Sequence, residues 1–416
     1  YSLDEIRATA LDFHDKLRMS GITERQKPIF IAGILIALEN NDFLRSYINL
    51  PSFSSIIIQL NAAIENVLSA NYIKKTNLDS IKQHFISIGT NQKLSEISLD
   101  KDGSIRWYIE QLEMKIKPMM NNAEYSLDAL GVFYHEFVRY SGGDGSGLGI
   151  VLTPQHLTDF MCDLAQINQN SRVVDICCGS GSFLVTAMNK MFNDAASVDK
   201  KKEIRENNLY GIEDKEDLYI LSIANMIVRK DGKSNIIHGD CFNKVTVKKL
   251  KELSKNKEEG KPNLDIGLLN PPYSQTDKSE LEFVEQLLSL IDYGGKAVVV
   301  VPMSCAIGTK FKDERRRLFE NHTLKAVFSM PDDIFYPTGT NVCVMVWEAH
   351  KPHNSAIKTF FGYYKEDGFV KRKKLGRVDA LNKWESIKSE WLALYFNSEE
   401  KVGLTAKQSV EHSDEW

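Results

Sequence analysis

Val173-Val174-Asp175-Ile176-Cys177-Cys178-Gly179-Ser180-Gly181-Ser182-Phe183 is the stretch that decides the fold. It reads as a short apolar strand, a glycine turn and the start of a helix. Glycine permits the tight turn and lets the backbone approach a ligand closely. A dinucleotide fingerprint would place a third glycine where this chain has Val185. Its absence argues against a nicotinamide or flavin enzyme.

Downstream of this loop, short apolar strands alternate with helical stretches. Strands are predicted at Val173–Ile176, Leu209–Ile212, Ile236–Ile237, Ile266–Leu269, Ala297–Val301, Ala326–Ser329 and Val342–Trp347. The alternation predicts a doubly wound, Rossmann-like α/β sheet. Ligands of such sheets bind outside the carboxyl ends of the strands. Glu213 follows one strand end, where a carboxylate can accept from both ribose hydroxyls. Asp240 follows the next and can bind an adenine amino group. Taken singly, each acid reads as a cap or surface residue. In order behind Asp175 and the glycine loop, they read as a cofactor site.

Asn270-Pro271-Pro272-Tyr273 closes the apolar strand that ends at Leu269. Two prolines fix the backbone and remove two donors. The Pro271 carbonyl and the Asn270 side chain are then two acceptors able to converge on one amino group. Tyr273 offers an aromatic face for a base turned out of its stack. A displacement at a methyl donor needs alignment rather than a covalent enzyme intermediate. No cysteine stands in a nucleophile motif, so no thiol chemistry is expected.

Upstream of the loop the texture is helical. Leu3, Ile6, Ala10, Phe13 and Leu17 recur at helical spacing, and further helices are predicted over Ile29–Leu38, Phe53–Leu68, Leu78–Ile86, Ile105–Met114 and Ala129–Tyr140. Ser141–Gly147 reads as a glycine-rich hinge. Lys244–Pro262 reads as a solvated Lys/Glu-rich insertion. From Lys365 the chain turns basic, then helical through Trp384, Ile387 and Trp391, and the polar tail Gln408–Trp416 is expected to be disordered. The division expected is an all-helical N-terminal domain over 1–145, the α/β domain over 146–364, and a short basic and helical C-terminal extension over 365–416.

The 416 residues are 43% hydrophobic and 26% charged, which is ordinary for a globular chain. No apolar run reaches the roughly 20 residues of a membrane span. No signal peptide is visible, and the six cysteines form no C-x-x-C pair, so neither a membrane nor a metal site is expected and the cytoplasm is. The missing initiator Met points to a processed chain or one cut from something longer. Net charge is -4, unfavourable for gripping a polyanion, so any DNA contact must be a local patch or come from a partner. The local candidates are the basic runs Lys310–Arg317 and Lys371–Arg377, which read equally as solvated faces.

Together these residues resemble the amino-methyltransferases of DNA. Thr153-Pro154-Gln155 resembles their first cofactor motif, with Leu152 where an aromatic is usual. The stretch of Asp175, Gly179, Ser180, Gly181, Ser182 and Phe183 resembles their glycine motif, with Ile176 in place of a proline. Cofactor motifs preceding the catalytic motif is the gamma arrangement. Asn225, Met226 and Met330–Gly339 are similar to the modification subunit of type I restriction systems and to fused restriction–methylation enzymes. The resemblance implies S-adenosylmethionine as cofactor, adenine-N6 as target and double-stranded DNA as substrate. It also implies a specificity subunit or recognition domain, and a restriction subunit or fused nuclease. Thr23–Tyr47 resembles the segment joining nuclease and methyltransferase in the fused enzymes. The alternatives are a protein glutamine or RNA amino-group methyltransferase, and a non-catalytic assembly subunit.

Overall fold

The computed structural model describes residues 3–24, 26–71, 75–121, 130–133, 136, 153–229, 235–336, 338–372 and 376–416. The predicted hinge 141–147, Leu152 and most of the helix predicted over 129–140 lie outside them.

The N-terminal helices form because their apolar residues fall on one stripe. In α1 (Leu3–Met19), Ile6, Ala10, Phe13 and Leu17 are all buried. Helix α2 (Gln26–Ala37) is apolar all round, and everything from Lys27 to Ala37 is buried, as expected of a core helix. Its Gly33 lets the Phe85 ring sit against the helix; a Cβ there would lie 1.8 Å from the ring. Helices α3 (Asn41–Ser46) and α4 (Phe53–Ala70) follow, the latter started by a Ser52/Ser55 capping box. Helix α4 has 18 residues with mean hydropathy 1.2, long and apolar enough to cross a membrane by composition alone. Its Ile56, Leu60, Ile64 and Leu68 stripe is buried, while Ile58 is exposed. Helices α5 (Lys75–Gly89), α6 (Gln92–Ser95), α7 (Ile105–Gln111) and α8 (Lys117–Asn121) complete this layer among the described residues.

The sheet has nine strands. They are β1 (Val173–Asp175), β2 (Leu209–Glu213), β3 (Ile236–His238), β4 (Ile266–Leu269), β5 (Lys296–Pro302), β6 (Thr323–Ser329), β7 (Val342–Glu348), β8 (Thr359–Tyr363) and, after a two-stranded hairpin of β9 (Val370–Arg372) and β10 (Gly376–Val378), β11 (Thr405–Gln408). Their order is β11-β8-β6-β7-β5-β4-β1-β2-β3. From β3 to β5 all pairs are parallel, and β7 runs antiparallel between β5 and β6. All seven predicted strands are present. The sheet is buried on both faces, as the unbroken Ala297–Val301 run requires.

Helices α9 (Gln155–Leu164), α10 (Ser182–Asp194), α11 (Val198–Asn207) and α12 (Glu216–Val228) belong with the first half of the sheet. Helices α13 (Lys244–Ser254), α14 (Glu280–Leu290), α15 (Ser304–Ile307) and α16 (Lys312–Asn321) belong with the second. Helix α2 packs along α12, and one continuous apolar cluster joins the helical layer to the sheet. The two parts expected as separate domains therefore share a core.

Two expectations for the C-terminal part are corrected. The extension over 365–416 is not only helical: after α17 (Trp384–Phe396), β11 returns to pair antiparallel with β8 at the sheet edge. Four polar-looking residues can pair there because an edge strand needs only one buried face. The tail is not disordered either. Trp416 stacks on Phe319 at 5.0 Å, meets Trp347 at 5.0 Å, and its N–H donates to the Ala306 carbonyl at 2.9 Å. A buried aromatic outweighs the polar residues that precede it.

Candidate active site

Strand order reverses between β1 and β4, so their carboxyl ends flank a crevice. The glycine loop leaves β1 on one side of it, and Asn270 leaves β4 on the other.

The loop is shaped by two left-handed residues, Gly179 at φ +56° and Gly181 at φ +91°. Gly181 caps α10 without any side-chain hydrogen bond. A Cβ on Gly179 would meet nothing within 4 Å, and one on Gly181 would touch only Ser222 at ordinary distances. The loop thus leaves an open cradle, which fits a ligand laid along its backbone.

Acids surround that cradle. Glu213, at the end of β2, is buried, and its two oxygens accept from the N–H groups of Gly179 and Lys215, each at 2.8 Å. Burial raises its pKa above the usual carboxylate range, against the pull of those two amides. Asp175 accepts from the Cys177 N–H at 3.0 Å. Burial, with the nearby Glu213 charge, pushes its carboxyl up to about 8. Asp240 is exposed at the same edge and spends one oxygen on the Phe242 N–H at 2.9 Å. Asn225 of α12 donates to the Ser180 carbonyl at 2.7 Å and holds the loop from behind.

The remaining cofactor residues divide. The Ser182 carbonyl accepts from Thr186 within α10, and Phe183 is buried in the core, so both shape the helix start. Pro154 occupies the N-cap position of α9. Gln155 turns to Thr186, donating at 3.2 Å, and Thr153 turns to Asn270. The first motif therefore braces the site from the side.

In the tetrapeptide, Asn270 Nδ2 donates to Thr153 Oγ1 at 2.8 Å. Pro271 is buried and Pro272 half-buried. Ser274 follows at φ +57°, its N–H held by the buried Glu280 carboxylate at 2.9 Å. The Tyr273 ring is half-buried, its hydroxyl 3.5 Å from the Val300 carbonyl, and burial raises its pKa well above the ordinary value.

Sequence reasoning passed over two features. Phe335 stands edge-on to Tyr273 with centroids 6.3 Å apart, giving the tetrapeptide a second aromatic wall. Its signal was the Met330–Gly339 stretch, noted for resemblance but not read chemically. Beside it, Arg377 grips Asp367 with two bonds of 2.8 and 2.7 Å and reaches Asp333 at 3.1 Å. His156 joins Asp367 at 3.1 Å. Burial opposes ionisation of Asp367, but His156 and Arg377 outweigh it and hold the carboxyl at about 2. Part of each basic run is spent on such internal work. Arg315 is buried and donates to the Cys305 and Gly308 carbonyls, and Arg317 forms a two-bond pair with Glu285. Among the described residues no group of three or more His, Cys, Asp or Glu could hold a metal ion.

Residues 125–388 match the N-6 DNA Methylase family. The chain belongs to that family. It is 33% identical to the type II restriction enzyme and methyltransferase RM.BcgI of Heyndrickxia coagulans over 430 residues, covering 100% of this chain and 65% of that protein. It is 22% identical to the type I restriction enzyme EcoEI methylase subunit of Escherichia coli, covering 62% of this chain and 56% of that one. The chain thus spans under two thirds of the length of these relatives. In fold, the chain is similar to the type I restriction-modification methyltransferase subunit of Streptococcus thermophilus, with TM-score 0.62 at 15% identity over 98% of this chain and 96% of that one.

Proposed function

We propose that the chain transfers a methyl group from S-adenosylmethionine to the N6 amino group of adenine in DNA, within a restriction-modification system. The observation that carries this is the placement of Asn270 and Pro271 at the end of β4, beside the open glycine cradle that ends β1. Family membership supports the same reading.

The cofactor, when bound, supplies an electrophilic methyl group. Gly179, Ser180 and Gly181 would cradle it, and the Glu213 and Asp240 carboxylates would accept from its ribose hydroxyls and adenine amino group. Asn270 Oδ1 and the Pro271 carbonyl accept hydrogen bonds from the target amine, holding its lone pair toward the donor. Tyr273 and Phe335 wall the extruded base. The amine loses its proton after transfer, and no side chain is attached covalently.

Target choice belongs to another module. Relatives named as type I methylase subunits support a specificity subunit as partner, and the similarity to RM.BcgI supports a fused nuclease and recognition part. The cytoplasm, where DNA and S-adenosylmethionine meet in a bacterium, is the compartment proposed.

Incubation of mixed-sequence DNA with methyl-labelled cofactor, followed by nucleoside analysis, tests the reading. N6-methyladenine should form, slowly and without site preference for the chain alone, faster and at one site with its recognition module. Asn270→Ala should keep cofactor affinity and lose transfer. Label in cytosine, or normal turnover by Asn270→Ala, refutes the assignment.

A further inference from the structure

The Thr153 hydroxyl accepts a hydrogen bond from Asn270 of the catalytic loop. We propose that Thr153 is a positioning residue for methyl transfer: its hydroxyl anchors the Asn270 carboxamide at Nδ2 and so holds the side chain with Oδ1 toward the target amine. The inference rests on the reading of Asn270 as the acceptor for that amine.

A carboxamide has two ends of similar size and opposite hydrogen-bonding sense. With Nδ2 given to Thr153 at 2.8 Å, Oδ1 is the end directed to the amine. Turned end for end, Asn270 would present a donor to a donor, and the lone pair would lose its guide. Both partners are held firmly enough for this to matter. Thr153 precedes Pro154 and Asn270 precedes Pro271, so each backbone is kept out of the helical region.

The brace extends further. Helix α9, which begins just after Thr153, is tied to α10 through Gln155 Nε2 to Thr186 Oγ1 and Thr158 Oγ1 to Thr186 Oγ1, each at 3.2 Å. It is tied to the Phe335 wall through His156, Asp367, Arg377 and Asp333. Helix α10 begins at the cofactor cradle. Thr153 is therefore where the fixed frame of the methyl-donor side touches the acceptor side chain.

The test compares Thr153→Val, which keeps the shape and removes the hydroxyl, with Thr153→Ser, which keeps the hydroxyl. It uses the chain together with its recognition module, and reads S-adenosylmethionine affinity by calorimetry, thermal midpoint, and kcat and KM on duplex DNA. Thr153→Val should lower kcat at least about tenfold, because small misplacements of reacting groups are costly. Cofactor affinity and KM should stay within about twofold, and Thr153→Ser should recover most of the rate. If Thr153→Val melts far below the parent, Thr153→Ala carries the same comparison. A kcat within about twofold of the parent overturns the proposal, and so does a loss of cofactor affinity that matches the loss of rate. Asn270→Ala run alongside separates the two failures. If it is inactive while Thr153→Val is fully active, the positioning role alone falls; if it is active, the reading of Asn270 falls.

Discussion

Replacing Glu213 by alanine tests how the cofactor cradle is held. The Glu213 carboxylate is buried and accepts two backbone N–H bonds of 2.8 Å, from Gly179 inside the glycine loop and from Lys215 at the start of the next helix. Hydrogen bonds to a charged acceptor contribute about 1.5–3 kcal/mol each. Alanine removes both and leaves two buried amide donors to whatever water enters the gap. Taking the lower figure for each, because water recovers part of the loss, about 3 kcal/mol is withdrawn from the loop and its surroundings. If the carboxylate also meets the ribose, binding loses a further share. Affinity for S-adenosylmethionine should fall at least tenfold, about 1.4 kcal/mol. Glu213→Gln keeps one acceptor and turns the other into a donor facing a donor, so it should fall between parent and alanine in stability. Calorimetry with cofactor and a thermal melt without it separate the two contributions. A Glu213→Ala chain that binds cofactor and melts like the parent would sink both the loop role and the ribose role.

Asp175 predicts a pH effect. Its folded carboxyl, held at about 8 by burial and the Glu213 charge, lies above the ordinary 3.8. The stability it contributes as a neutral acid is complete below about pH 4 and is lost as pH rises toward 8. Asp175→Asn mimics the neutral form, so urea titrations from pH 5 to 8 should show a flatter decline for the variant; equal slopes refute the shift. Arg377→Ala should lower stability by about 3–5 kcal/mol, because it strands the buried Asp367 carboxylate. Arg377→Lys should rescue poorly, since one ammonium cannot reproduce the two-bond grip. A melt unchanged in Arg377→Ala, with only DNA affinity reduced, would return Arg377 to the role of a phosphate contact.

What was legible in the sequence is what periodicity and glycine chemistry encode. The strands β1 to β7 carry unbroken apolar runs because both faces of the sheet are covered, and such runs announce themselves. Strands β9 and β11 do not. Val370–Arg372 is exposed throughout, and Thr405–Gln408 has no apolar run, so pairing with a single neighbouring strand decides their structure and composition does not. The same limit applies to the site. Gly179, Gly181 and Asn270-Pro271 could be read because backbone conformation demands those residue types. The partners of Thr153, Gln155 and Arg377 are distant in sequence, 117 residues in the case of Thr153 and Asn270, and one chain without its fold cannot say which hydroxyl meets which amide.

The charge distribution bears on how such a site meets DNA. Non-specific affinity grows with the number of cations free to neutralise phosphates. The basic runs that sequence singled out supply few: Arg315 is buried, Arg317 pairs with Glu285, and Arg377 and Lys371 pair with aspartates. Exposed Lys310, Lys312 and Arg372 of those runs form no ion pair among the described residues, and further cations lie elsewhere. Lys244, Lys248, Lys251 and Lys255 fall on one stripe of α13 and, with Phe242 and Gln286, line a cleft of about 610 Å³. Lys244, Lys251 and Lys255 form no ion pair among the described residues. In a chain of net charge -4, Arg315, Arg317 and Arg377 brace the fold rather than stand free for phosphates. Rigidity is what in-line methyl transfer needs, because the reacting atoms must be aligned before the barrier is crossed. Grip and sequence choice can then be supplied by a recognition module, whose base contacts are worth more per residue than scattered phosphate contacts.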